Sequence, residues 1–263
     1  MITYMRLWLL LLTLPLWAAD DANAILRRYL DADKQNDEKA EQYTYVQDSA
    51  WFVPDKNGEL HRNRSETHEV IFIEGLEYRK LVARNDKPLD AKEKAKVDKK
   101  MRETAEQRRK QPREPDGGRV TNGHVRVDFG SDQELLTLFD NRLMGEEKIG
   151  GRKAWVIEST PRKDRPPANR HEKDVMSFDK KFWIDEAENE ELRAVYTVVG
   201  NHIFLKPGST TTFELQKINQ DVWQPALVVL DARDTMTKIV QVEEIRFSSF
   251  KKFDVQSTIT VDK

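Results

Sequence analysis

Few residues in this chain have the type and spacing to do chemistry. Histidines stand at His61, His68, His124, His171 and His202. None belongs to an HExxH or another close pair able to hold a metal. His61 and His68 are seven positions apart, which on a strand of period two sends them to opposite faces. They read as surface or strand histidines. No GxSxG occurs, and no glycine loop that would cradle a phosphate. Gly117-Gly118 and Gly150-Gly151 read as turns. Aspartate and glutamate total 46, yet no spacing singles out an acid–base pair, and such a dyad becomes visible only in three dimensions. Cysteine is absent. That excludes disulfides, thiolate metal sites, a cysteine nucleophile and a lipidated N-terminal cysteine. The expectation is a non-catalytic protein with no metal and no cofactor.

The large apolar residues are more informative. Trp155 and Trp183 are anchors, for packing first and for ligand contact second. Alternation assigns faces. Trp155 and Ile157 lie opposite Ala154, Val156 and Glu158. Phe182 and Ile184 lie opposite Lys181, Trp183 and Asp185. Leu192, Ala194, Tyr196 and Val198 oppose Arg193, Val195, Thr197 and Val199, and Phe213 and Leu215 oppose Glu214 and Gln216. One face is strongly apolar and the other mixed. Trp155, Ile157, Phe182, Ile184, Tyr196, Phe213 and Leu215 are therefore the candidate ligand-lining residues. The same residues would also serve as an ordinary closed core.

The elements that must position them are mostly strands. Tyr43 to Val46 and Trp51 to Val53 run to a turn at Pro54 and Asn57-Gly58, Ser65 to Ile73 returns, and Glu74-Gly75 turns into Tyr78 to Ala83. Val125, Val127 and Phe129 alternate, and Leu135 to Phe139 is a short patch of helical or turn character. Further strands are read at 143–149, 153–160, 179–185, 192–199, 210–218, 222–230 and 237–253. Spacing of this kind with short turns means an antiparallel meander. Helix is scarce. Residues 21–33 carry Ile25, Leu26, Tyr29 and Leu30 on one stripe, with Asp20 or Asp21 as the cap. Residues 85–119 form a charged insertion with a helix over about 91–110, ended by Gln111-Pro112. It reads as a solvated helix resting on the sheet or as a flap or docking arm. Residues 161–177 read as a basic, proline-containing loop.

Residues 1–19 combine Arg6, an apolar run from Leu7 to Trp17, and Ala18-Ala19. This is the pattern of a cleaved secretory signal, too short to span a bilayer. The expected location is the periplasm, with residues 20–263 as a single domain. A chain with 44 basic and 46 acidic residues and a net charge of -2 has no basic excess to attract nucleic acid. Its apolar share of 38% supplies a core, and the 34% that is charged must lie on surfaces. The fold class is thus mainly β (α+β), a curved antiparallel sheet whose apolar face a few helices cover only in part. Partial cover leaves an apolar concavity, the usual form of a ligand site.

This layout resembles the LolA/LolB-like periplasmic lipoprotein carriers and their outer-membrane lipoprotein-sorting relatives. The residues that carry the resemblance are Tyr78-Arg79-Lys80-Leu81 with Asn85 to Leu89, Ala154 to Glu158 with Pro161, and Phe182 to Asp185 followed by an acidic turn and Leu192-Arg193. It covers roughly residues 40–255 and speaks to structure, not to catalysis. The charged insertion departs from the carrier pattern and marks a divergent relative. The resemblance implies an incomplete barrel, lidded by helices, whose concave face holds acyl chains. The expected ligands are lipid or lipoprotein acyl chains, with peripheral membrane contact compatible with that role. The competing readings are an envelope sensor or scaffold module with a protein partner, and an envelope hydrolase with ionisable groups clustered in the concavity.

Overall fold

The computed structural model describes residues 18–110, 129–202, 205–233 and 240–252. The signal-like residues 1–17, His124, Val125 and Val127 lie outside them. Helix α1 covers Ala18–Ala40. Strands β1 (Tyr43–Pro54), β2 (Leu60–Ile73), β3 (Leu76–Arg84) and the two-residue β4 (Lys87–Pro88) precede α2 (Ala91–Lys110). A short α3 (Asp132–Leu138) leads into β5 (Phe139–Ile149) and β6 (Arg152–Pro161). Helix α4 (Arg170–Val175) is followed by β7 (Phe178–Asp185), β8 (Glu191–Val198), β9 (Thr210–Ile218), β10 (Val222–Arg233) and β11 (Val240–Lys252). All eleven strands join one sheet in the order β4-β3-β2-β1-β11-β10-β9-β8-β7-β6-β5. β4 and β5 end it without pairing to each other, so the half-barrel is open, as the alternation suggested.

Most of the meander follows from local rules. Asn57-Gly58 and Glu74-Gly75 turn with Gly58, Glu74 and Gly75 at positive φ, which glycine adopts without cost. The sheet bends at bulges, because an extra residue on one strand sharpens the local twist. Register slips leave an unmatched residue at Asn63, Val82, Met144, Leu192 and Ala226, and a pair at Ser249-Phe250. The Ala226 bulge also explains how Pro225, which has no N–H to donate, sits in an interior strand.

Three expectations change. Helix α1 extends past residue 33 to Ala40, because Lys34–Ala40 contains no helix breaker and Asn36 is fixed to β10. Asp20 and Asp21, the expected caps, fall inside it. The 161–177 loop contains α4, capped by Asn169, whose side chain accepts from the Glu172 amide. Phe129, expected on a strand, lies in the irregular segment before α3.

Helix α1 runs across the strands. Near its start Asn23 meets Asn141 of β5, in its middle Tyr29 meets Glu191 of β8, and near its end Asn36 meets Trp223 of β10. From Asn23 to Asn36 a helix rises ~20 Å, close to the ~24 Å across five strand intervals. It buries Ala22, Ile25, Leu26 and Tyr29 against the inner face. Helix α2 lies at the other edge. Ala105 is buried, and the Arg108 guanidinium donates to the carbonyls of Ile73, Leu76 and Glu77 at 2.8–2.9 Å, fastening the turn end of the β2–β3 hairpin.

Candidate functional site

Cross-strand pairing defines the inner face row by row. Leu143, Ile157, Phe182, Ala194, Phe213, Val228 and Ile245 stand side by side from β5 to β11. The row then turns polar, with Ser49 on β1, Glu66 on β2 and Arg84 on β3. Helix α1 packs on the apolar stretch from Leu143 to Phe213, and Val228 and Ile245 form a cluster beside it. Two residues further along, the next row reads Asn141, Ser159, Lys180, Tyr196, Thr211, Leu230, Glu243 and Trp51. Asn141, Ser159, Lys180, Thr211 and Glu243 are all buried, so a polar band lies beside the apolar one.

Six of the seven candidate residues come together. Ile157, Phe182 and Ile184 are in the cluster with α1, and Trp155, Tyr196 and Phe213 pack against it. The Arg28 guanidinium lies 5.5 Å above the Trp155 ring. Leu215 goes elsewhere. It sits one residue beyond the last β8–β9 pair, Arg193–Glu214, beside the Leu192 bulge. There it joins Ala154, Val156, Trp183, Leu192 and Trp223 in a second cluster. Leu192, read as facing inward with Ala194, leaves that face for the same reason: the bulge breaks the alternation.

The second cluster corrects the picture of a merely mixed outer face. Trp183 and Val156 are buried there. Lys181 and Arg193 lie over the Trp183 ring at 5.1 and 5.7 Å, and Glu147 accepts from its indole N–H at 2.8 Å. Long charged side chains cover apolar surface with their stems while their heads stay wet.

The inner face is covered. Ile157 and Ile184 are 0% exposed, so a ligand reaches them only by displacing α1 or the segment before α3. That segment inserts Phe129, whose ring lies 4.1 Å from Tyr196, 5.2 Å from Phe178 and 5.9 Å from Phe213.

Polar pins rather than sheet pairing hold α1. Asn36 makes two bonds with the backbone of Trp223, accepting from its amide at 2.7 Å and donating to its carbonyl at 2.9 Å. The Tyr29 hydroxyl donates to Glu191 at 3.2 Å, and Arg28 to Asn189 at 3.2 Å. Burial, with Asp33 nearby, pushes the Glu191 carboxyl up to about 8. Burial first, and then the charges of Asp33, Glu188 and Asp37, push Glu190 up to about 7. The interface under α1 thus holds two carboxyls that take up a proton near neutrality.

The histidines are dispersed. His171 pairs with Glu134 at 2.9 Å. His202 meets the Phe178 ring edge to face at 5.2 Å. His68 is half-buried, and burial with the nearby Arg79 charge pushes it down to about 4. At the β1–β2 hairpin His61 meets Asp55 and Glu59, the one group of possible metal ligands among the described residues. One Asp55 oxygen already accepts from the amides of Asn57 and Glu59, which accounts for the cluster as a turn. Sequence reasoning missed Ser159, Lys180 and Asn141. They lie on the inward-facing parity, and that parity was the available signal.

The class this geometry defines is an open antiparallel half-barrel with one helix laid across its apolar inner face. No family model and no curated protein matches the chain. Among solved structures it is similar to an outer membrane lipoprotein-sorting protein domain from Vibrio parahaemolyticus, at 10% identity over 86% of this chain and 92% of that one, with a TM-score of 0.39. It is also similar to a DUF1329 family protein from Desulfovibrio piger, at 13% identity over 91% and 95%, with a TM-score of 0.41. A LolA superfamily protein from Nitrosomonas europaea matches at 11% identity over 89% and 94%, with a TM-score of 0.35.

Proposed function

We propose that this chain is an exported cell-envelope binding protein that holds a lipid acyl chain, or that of a lipidated protein, on its inner face without chemical change. The observation that carries this is the unbroken apolar row from Leu143 to Ile245, whose stretch from Leu143 to Phe213 is covered not by another strand or sheet but by α1. A covering helix held at a few polar pins can exchange its apolar contacts for those of a hydrocarbon chain. Each buried CH₂ contributes ~0.8 kcal/mol, so a chain of about a dozen carbons offsets the loss of the α1 contacts. Residues 1–19, with the features of a secretory signal, support the periplasm as its location. Among the described residues no helix is long and apolar enough to cross a membrane.

The non-catalytic reading is supported by one hydroxyl of the inner face. Ser159 is paired across the strands with Lys180, a combination that could suggest a serine–lysine dyad. The Ser159 hydroxyl has no hydrogen-bond partner, so no base is placed to activate it.

Native mass spectrometry of the exported protein, before and after solvent extraction, tests the proposal. The expected result is a co-purifying species of lipid mass whose removal lowers the melting temperature by several degrees. A chain of bare mass with unchanged melting removes the acyl-binding reading. In-cell crosslinking that captures a protein and no lipid favours the sensor or scaffold alternative.

A further inference from the structure

Charge is unevenly placed along this chain. Helix α2 carries nine basic and four acidic residues, a net charge of +5. The whole chain carries -2, so the residues outside α2 together carry -7. A helix that charge merely keeps soluble mixes the two signs and pairs them at i,i+4. Among the described residues α2 makes one such pair, Lys99 with Glu103 at 3.7 Å.

The remaining charges of the helix divide by position. Near its start Glu93 pairs with Arg84 of β3 at 3.0 Å. Near its end Arg109 pairs with Glu74 of the β2–β3 turn at 2.6 Å, beside the Arg108 fork. Both ends of α2 are thus fastened, and its orientation is set. Ala105 is buried, and Val97 and Met101 on the same stripe are half-buried. Six cations are left over, namely Lys92, Lys94, Lys96, Lys100, Arg102 and Lys110. All six are exposed, and among the described residues none has an ion pair. Lys96 and Lys100 each stand one residue before a member of the apolar stripe, about 100° round the helix. Lys92 precedes them on the same row. From Lys92 to Lys110 the basic surface runs ~27 Å.

The composition of this face says what it can meet. Protein interfaces are centred on apolar and aromatic residues that exclude water. Helix α2 has no large apolar residue to offer, since Val97 and Met101 lie on the side of Ala105. What it offers is charge alone, spread over a long surface. A leaflet of anionic phospholipid, with many fixed negative charges in one plane, is the complement.

We propose that the exposed face of α2 is a docking surface for a membrane bearing anionic phospholipids, held by charge and without insertion of apolar side chains. The rest of the chain, at -7, is repelled by the same membrane, which turns the β3 edge of the sheet toward it. This goes beyond acyl binding and does not depend on what the inner face holds.

Sedimentation of the exported full chain with vesicles tests this. One set mixes phosphatidylglycerol with phosphatidylcholine, and the other is phosphatidylcholine alone. Binding to the mixed vesicles is expected at about 0.1 M salt. It should be lost near 1 M, where the screening length falls from about 10 to about 3 Å. Each Lys or Arg near such a surface is worth about fivefold in affinity. The triple variant Lys92→Gln, Lys96→Gln, Lys100→Gln should therefore bind about 100-fold more weakly. Glutamine forms helix as well as lysine does, and none of the three is paired, so the fold is kept. Lys148→Gln, Lys163→Gln, Lys173→Gln removes the same charge from exposed positions around β5, at the other end of the sheet. That variant should change binding by about threefold at most. Comparable binding to the neutral vesicles, or binding that survives high salt, overturns docking by charge. Equal losses in the two triple variants mean a response to net charge and overturn the assignment to α2. Duplex DNA held more tightly than the mixed vesicles at the same salt overturns the choice of a membrane. Binding to neither vesicle overturns the proposal outright and leaves the acyl-binding reading standing.

Discussion

At the scale of single residues, the ionisable groups under α1 make the strongest demands. Glu191 is buried, accepts from Tyr29 and has its carboxyl raised to about 8 from an ordinary 4.5. Between these values the unfolded chain releases a proton that the folded chain keeps. Stability therefore falls as pH rises from about 4.5 to about 8 and levels off above that. Glu190, raised to about 7, adds a drop with the same sign that ends earlier. Thermal melting across this range should show a decline of a few kcal/mol in total, on the order expected for shifts of this kind. Glu191→Gln should flatten the upper part, between about pH 7 and pH 8, and leave the Glu190 part in place. A melting curve with an unchanged slope in the variant would show that Glu191 is ionised in the fold. The Tyr29 hydroxyl, pushed up by burial and by Glu191, stays a donor throughout.

At the scale of elements, α1 and α2 are attached in different ways. Asn36 joins α1 to β10 through two bonds to one backbone position. Asn36→Ala leaves a buried carbonyl and amide unpaired, at a cost of about 1–3 kcal/mol. Its effect should be local. Hydrogen exchange should accelerate in residues 30–40 ahead of the strands, and uptake of any ligand beneath α1 should become faster. Equal acceleration in β6 and β7 would mean that α1 does not open on its own. At the opposite edge, α2 is held by the Arg108 fork on three carbonyls. Arg108→Ala should loosen the β2–β3 hairpin by about 1–3 kcal/mol. Arg108→Lys should not restore it, because a single ammonium cannot span three acceptors as a planar fork does. Hydrogen exchange at Ile73 to Tyr78 reads both variants. The charged insertion is therefore a brace on β3. Its sequence showed a helix over about 91–110, but not the residue that fastens it.

At the scale of the whole molecule, the sequence by itself determined the open β architecture. Period-two alternation fixes which residues share a face, and glycine and asparagine at the turns fix where strands reverse, because both are local properties of the backbone. That is why six of the seven candidate residues, among them Ile157, Phe182 and Phe213, fall into one cluster. Tertiary structure alone decided the remainder. The Leu192 and Ala226 bulges are register choices between two strands, and they moved Leu192 and Leu215 out of that cluster. The position of α1 across β5 to β10, rather than along them, depends on Asn23, Tyr29 and Asn36 finding partners more than 100 residues away in the chain. The band of Asn141, Ser159 and Lys180 exists only because three strands align in register, and no one strand's sequence states its neighbours' register. Local spacing settles what each strand presents. Which residues meet, and which are left waiting for a partner, is settled by packing between distant segments.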